Sequence, residues 1–290
     1  MLYTAQQLVT KVRKRLKDLK GQAQGNTWTD DEIVEFLNDE QENLVRKIIM
    51  AGEDYFATFK DLDFTANVAD YPLFDGFLLL RAVTYQGGVD PTQMIESRLI
   101  EGVEGSGGIA SQTESQYYYS LFGDNLEIAP TPGQTLAAQA RLFFIRMPGP
   151  ILLETIASSP AADQLQFAST NAPPEGDLYV DTLIESISGT GAGQRRKISA
   201  YTVGRIATVS SPFNPALDST TLVGTISRIP APFQHQLVYG AAIRAKVDNE
   251  ENPAGLAALY NDGESDMYDF IERRTGGQRG PIPWDPDDGI

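Results

Sequence analysis

The chain has 290 residues, 41% of them hydrophobic and 21% charged, which suits one large globular domain or two smaller ones. It has no cysteine and a single histidine, which excludes disulfide scaffolds, thiolate zinc sites, cysteine nucleophiles and multi-histidine metal centres. A formal net charge of -16 makes it a poor general binder of nucleic acid phosphate, and no stretch approaches the roughly 18 apolar residues of a membrane helix.

The opening Met1-Leu2-Tyr3-Thr4 lacks a charged region followed by an apolar core, so no secretory signal is expected and synthesis in a host cytoplasm is. Thr4 and Gln7 then have capping-box spacing, with Tyr3 placed to staple onto Leu8. Leu8, Val12, Leu16 and Leu19 recur at helical spacing, with Val9 beside them. The other face of this helix carries Lys11, Arg13, Lys14, Arg15, Lys17 and Lys20, and is either simply solvated or a contact for an acidic partner. A glycine-rich break at 21–26 ends it. Thr29 and Glu32 repeat the capping box, Trp28 and Ile33 sit at the staple positions, and Asp30, Asp31 and Glu32 suit the first turn of a second helix. Its buried face is predicted at Ile33, Phe36, Leu37, Leu44 and Ile48, with Gly52 as the stop. Two such helices cannot bury their apolar faces alone and need further partners.

Beyond about residue 57 the pattern becomes β-type. Strands are predicted at 59–68, 78–85, 117–122, 125–128 and 140–146, separated by Tyr71-Pro72, Gly87-Gly88 and Gly123-Asp124 turns. Residues 101–116, rich in Gly, Ser and Glu, read as a mobile loop. Residues 157–228 read as an inserted all-β module, with β runs at 177–188, 195–200, 203–210 and 221–229. Its six acids nearly balance its five bases, so the acidity of the chain lies elsewhere.

Helices resume at Pro232. Leu237, Val238, Ala241, Ala242 and Ala245 line one side, and Gly240 would admit a closely packed neighbour. Asn252-Pro253 starts a last helix with predicted buried residues Leu256, Leu259, Tyr260, Met267, Phe270 and Ile271, closed by Arg273-Arg274 and Gly276-Gly277. In the final segment, 277–290, Pro281, Pro283 and Pro286 surround Trp284. That is either a disordered end or a proline-stiffened anchor with a tryptophan at its centre.

The order of these features resembles the head-to-tail adaptor (connector) proteins of tailed bacteriophages. The resemblance rests on Trp28-Thr29-Asp30-Asp31-Glu32-Ile33 through Leu37-Asn38-Asp39, then Asp70-Tyr71-Pro72-Leu73 and the apolar strand 77–85. It continues with Tyr117-Tyr118-Tyr119 through Leu126-Glu127-Ile128-Ala129-Pro130-Thr131-Pro132 and the helical segment 232–245. Gly176-Asp177-Leu178-Tyr179-Val180 and the run 188–196 are similar to a small β domain grafted onto various phage virion proteins.

The resemblance implies a virion protein of the head-tail junction, an α+β chain with no enzymatic activity and no cofactor. Its core, 1–156 with 229–276, would be a helical bundle of N- and C-terminal helices with a central β-hairpin region, carrying the inserted module 157–228 and an extended tail 277–290. It further implies a homo-oligomeric, dodecameric ring beneath the portal protein. The ring would extend the DNA channel, pass DNA without sequence-specific binding, and offer a platform to the downstream tail or nozzle protein. The tail residues Arg279, Pro281, Ile282, Pro283, Trp284, Asp285 and Ile290 would enter the portal, and Lys11, Arg13, Lys14 and Lys17 would meet a neighbouring subunit or the portal.

Other readings stay open beside it. A receptor- or carbohydrate-binding virion protein would need exposed aromatics on the module, which offers Phe167, Tyr179, Tyr201 and Phe213. A glycoside hydrolase would need two facing carboxylates in a cleft. Within the assembly class, a stopper or tail terminator is also open. Gly189-x-Gly191-x-Gly193 is followed by a strand-like Arg195-Arg196-Lys197-Ile198, so a hairpin turn is expected there in place of a phosphate loop. His235 is expected to pack or cap, and Asp285, Asp287 and Asp288 lack the spacing of a calcium loop.

Overall fold

The computed structural model describes residues 2–17, 28–51, 55–87, 92–96, 117–168 and 172–276. The chain divides into two units, Phe56–Met147 and the pair Met1–Tyr55 with Pro148–Ile290. The break expected at 21–26, the stop expected at Gly52 and the loop expected at 101–116 lie outside the described residues.

The unit 56–147 holds two small sheets. One joins β1 (Ala57–Phe64), β8 (Leu136–Arg146), β3 (Phe77–Tyr85) and β4 (Thr92–Gln93) in the order β1-β8-β3-β4, all antiparallel. The other joins β2 (Asp70–Pro72), β7 (Asn125–Ala129), β6 (Tyr118–Phe122) and β5 (Ile95–Glu96) in the order β2-β7-β6-β5. Gly123, at φ +58°, makes the two-residue turn with Asp124 that joins β6 to β7. Phe64, Val83, Leu126, Ile128, Leu142 and Phe144 belong to one buried cluster. Tyr71-Pro72, expected as a turn, is instead an edge strand paired to β7. An edge tolerates Pro72, which has no N–H to give, and Tyr71 is needed below it. The Tyr71 hydroxyl accepts from the Thr65 amide at 3.0 Å and donates to the Val68 carbonyl at 3.1 Å, so it holds the bend that precedes β2.

The other unit begins with the two capped helices. α1 (Ala5–Leu16) starts with the Thr4 hydroxyl accepting from the Gln7 amide, while the Gln7 side chain accepts from the Thr4 amide. α2 (Asp30–Met50) repeats this between Thr29 and Glu32. α1 closes at Lys17, which takes a left-handed conformation (φ 60°), ahead of the glycines at 21 and 25. Ala5, Leu8, Val9 and Val12 are buried on α1, and Ile33, Leu37, Leu44, Val45 and Ile48 on α2. Phe36 is only half-buried and takes the edge of the Trp28 ring at 5.2 Å.

A six-stranded antiparallel sheet follows: β9 (Leu153–Thr155), β10 (Gln164–Gln166), β11 (Leu183–Ser188), β12 (Arg195–Tyr201), β13 (Ile206–Val209) and β14 (Leu222–Ile226). Its strand order is β10-β13-β12-β11-β14-β9. β9 was not read from the sequence, being three residues long. The β run expected at 177–188 forms a strand only from Leu183, because 176–181 turn so that Tyr179 enters the core fully buried. Asp177 and Asp181 carry the left-handed conformations that this turn requires (φ 61° and 69°).

After a 3-10 turn at Ala231–Phe233, α3 (Gln234–Asp248) packs against α1 and α2, and α4 (Ala254–Gly276) packs against α3. The Asn252 side chain caps α4 by accepting from the Ala254 amide at 2.9 Å. Gly240 is where α2 approaches, since a Cβ there would lie 2.3 Å from Glu40. On α4 the buried stripe is Tyr260, Gly263, Met267 and Ile271, while of two residues expected inside, Leu259 (46% exposed) lies outside it and Phe270 (44%) at its edge, against Phe233 at 5.3 Å. A helix packed mainly on one neighbour hides a stripe narrower than its apolar content suggests.

Polar side chains hold these elements in register. Asn38 donates to the Ile151 carbonyl at 3.1 Å and accepts from the Ile151 amide at 2.6 Å. Gln41 donates to the Gly149 carbonyl and accepts from the Ser227 hydroxyl. Gln234, fully buried, accepts from the Tyr3 amide and donates to the carbonyls of Ser227 and Ile229.

Among the buried side chains with polar atoms lacking such partners is one carboxylate. Both carboxylate oxygens of Glu154, on β9, are without a hydrogen bond of good geometry among the described residues. Burial pushes this carboxyl up to about 7, with the Ala168 backbone and Arg205 offsetting part of the rise and Asp31 adding to it. The folded chain therefore holds this proton more tightly than the unfolded chain. Glu154 should lower stability by about 3 kcal/mol as pH rises from about 4.5 to about 7, with no further change above. Glu154→Gln removes that cost. In urea unfolding the variant should match the wild type near pH 4 and exceed it by roughly 2–3 kcal/mol near pH 8. A difference that stays constant with pH contradicts this.

Candidate functional site

α1 carries four bases and no acid, in a chain with 39 acids and 23 lysines and arginines. Arg13, Lys14 and Arg15 lie in its last turn, where the helix dipole favours positive charge. The fold then treats these bases differently. Arg13 lies one turn after Val9 on the buried face and is 6% exposed. Its Nε and Nη2 donate to Asp30 Oδ1 at 3.0 and 2.7 Å, tying α1 to the first turn of α2. Lys11, Lys14, Arg15 and Lys17 point to solvent. Among the described residues no carboxylate forms an ion pair with any of these four.

Two tyrosines frame the exposed bases. Lys11 Nζ lies 4.3 Å from the centre of the Tyr3 ring, and the Arg15 guanidinium lies 5.1 Å from that of Tyr239 on α3. Arg15 also donates to the Tyr239 hydroxyl at 3.4 Å. The His235 ring meets Tyr239 edge-on at 5.7 Å. Together with Lys14 and Val238 these side chains line a groove of about 230 Å³ between α1 and α3. Its chemistry is that of a cationic surface with aromatic walls. It offers several donors to a carboxylate.

Of the contact residues named from the sequence, Lys11 and Lys14 thus sit on this groove, Lys17 is exposed at the helix end, and Arg13 is turned inward. The tail residues Arg279, Pro281, Ile282, Pro283, Trp284, Asp285 and Ile290 lie outside the described residues, as do Asp287 and Asp288. Arg15 belongs to the basic face expected from the sequence, and Tyr3 was expected only as a staple onto Leu8; Tyr239 comes from 224 residues away and gave no signal.

Gly189, Gly191 and Gly193 all have positive φ and form the turn between β11 and β12. The three bases after them are occupied within the sheet. Arg195 bonds Glu185, Lys197 pairs with Asp181, and Arg196 donates to the carbonyls of Ser211 and Pro212. Phe167, Tyr179, Tyr201 and Phe213 are all buried, so these four make no exposed aromatic platform for a sugar. Among the described residues no group of three His, Asp or Glu side chains is placed to hold a metal ion, and no helix is long and apolar enough to cross a membrane. In the unit 56–147 a cavity of about 130 Å³ is lined by Leu62, Tyr71, Phe74, Leu126 and Leu142 among others. It is well below the usual size of a small-molecule site.

The described residues thus form a mixed α+β fold with a cationic groove whose exposed bases have no carboxylate partner among them. The family is more specific. A model of the SU10 adaptor protein family matches residues 3–184, and the chain belongs to that family. The match runs from the start of α1 into β11. No curated protein matches the chain. Membership implies a phage structural adaptor and a non-enzymatic protein.

The different placements of the bases can be checked by chemical denaturation. Arg13→Ala leaves Asp30 without its partner and should cost about 2 kcal/mol, less than a fully buried pair because Asp30 remains partly in water. Lys11→Ala and Lys14→Ala should each stay within about 0.5 kcal/mol of wild type. Equal losses at all three positions would show that Arg13 is not internally engaged.

Proposed function

We propose that this chain is a subunit of a head-to-tail adaptor ring, dodecameric, that docks beneath the portal of a tailed phage, extends the DNA channel and presents a platform to the tail or nozzle protein. The family match over residues 3–184 carries this reading. Three further features support it. A net charge of -16 suits a wall along which DNA slides without being gripped. An exposed cationic groove suits contact with an acidic protein surface. The segment 277–290, with three prolines around Trp284, suits a stiff anchor that loses little entropy on entering a portal cleft. In this reading Arg279, Pro281, Ile282, Pro283, Trp284, Asp285 and Ile290 make the portal contact, and residues 157–228 are an insertion carried by the adaptor core.

Light scattering of the full-length chain with its cognate portal, beside a truncation ending at Gly276, tests the reading. The full-length chain should join the portal as a ring, and the truncation should lose at least about 90% of that association, as expected where an aromatic anchor is a hot spot. Absence of portal binding by the full-length chain overturns the adaptor reading. Full binding by the truncation overturns only the role of the tail.

A further inference from the structure

A closed ring needs two different complementary patches on every subunit, one to give and one to receive. The groove between α1 and α3 is one candidate, because Lys11, Lys14 and Arg15 are exposed and without carboxylate partners among the described residues. α4, a different helix of the same unit, presents the opposite chemistry. Asp262, Asp266 and Asp269 are exposed at i, i+4 and i+7, which places them on one face of the helix. No ion pair occupies them among the described residues. The one pair that α4 makes there, Glu264 with Lys47 at 3.0 Å, lies on its inner side.

We propose that the groove of one copy receives the acidic stripe of α4 from the next copy, and that this is the head-to-tail contact of the ring. The proposal rests on the ring reading above and adds the two faces and their partner. The groove's bases, Lys11 to Arg15, span about 6 Å of helix, and Asp262 to Asp266 span the same, at roughly 1.5 Å per residue. Both faces also carry apolar surface beside their charges: Tyr3, Val238 and Tyr239 on one, and on the other Leu259 and Phe270, both more than a third exposed. The charges select the partner and its register, and the apolar surface supplies attraction that salt does not screen. Arg273, exposed one turn beyond Asp269, limits the acidic stripe at its C-terminal end and fixes its direction.

Charge exchange tests this with the full-length chain, alone and with the portal ring. One variant carries Lys11→Glu and Lys14→Glu, the other Asp262→Lys and Asp266→Lys. Each alone opposes like charges at every contact, and should raise the concentration needed for assembly at least about tenfold. An equimolar mixture should assemble again, because each variant's altered face then meets its complement while the unaltered faces also match. The mixture also guards against misfolding, since unfolded variants would not rescue each other. If the wild type assembles and either variant does so equally well, or the mixture stays dissociated, the interface is wrong while the ring reading stands. If the first variant assembles normally alone but loses the portal, the groove faces the portal and this proposal fails. A wild type that assembles in neither setting overturns the ring and the interface together.

Discussion

The helical unit depends on a single constraint: polar side chains taken out of water at the meeting of α2 and α3 must each find a partner there. Glu40 is 3% exposed, and burial pushes its carboxyl above the usual range. It is held by the Tyr260 hydroxyl at 2.6 Å, by Asn43, and at longer range by Arg244. These groups come from α2, α3 and α4, and Gly240 leaves the room the carboxylate needs. An apolar contact would tolerate a helix sliding by a fraction of a turn. A buried carboxylate does not, because losing one donor leaves charge uncompensated at a cost of several kcal/mol. Asn38, Gln41 and Gln234 act by the same rule on the backbone, fixing residues 149–151 and 227–229 where the chain enters and leaves the six-stranded sheet. The sheet's place relative to the helices is thus set by amides and hydroxyls as much as by the apolar core.

This explains which parts of the fold were legible in the sequence. Local chemistry was readable: the capping boxes at Thr4 and Thr29, the Asn252 cap and the glycine turn at 189–193 each complete themselves within a few residues. Where a residue's role depended on distant chain, the pattern failed. Tyr71-Pro72 has the composition of a turn, and only pairing with β7, more than 50 residues later, makes it a strand. Tyr179 sits in a segment rich in β formers, yet the core draws it inward through a turn. Leu259 and Phe270 obey helical periodicity, but Leu259 lies beyond the contact with α3 and Phe270 only at its edge, against Phe233. β9 was invisible because three residues carry no period.

The candidate site shows the same division more sharply. Composition alone marked the first helix as basic, and the family resemblance suggested that it makes contacts. Periodicity could have separated Arg13 from its neighbours, since it lies four residues after Val9 and one after Val12, both buried. A long side chain that can reach solvent or a carboxylate does not announce which it does, and here Asp30 decides the matter. The aromatic walls of the groove come from residue 3 and from residues 235–239, which meet only because Gln234 bonds the Tyr3 amide. One buried glutamine therefore links the register of the helices to the shape of the groove.

The charge distribution gives that groove its significance. In a chain with 39 acids against 23 lysines and arginines, bases such as Arg46, Arg141, Arg195, Lys197 and Lys246 pair with a nearby carboxylate. Lys11, Lys14 and Arg15 on α1, and Lys17 at its end, have no such partner among the described residues. Self-repulsion among the acids opposes any association of copies in general. An interface that works under those conditions must be local and sign-specific, and must leave the acidic remainder of each copy apart. A cationic groove on one helix pair and a carboxylate stripe on another satisfy that requirement. The net charge opposes every orientation of two copies, so in the proposed contact only the local complementarity of these two faces would offset it.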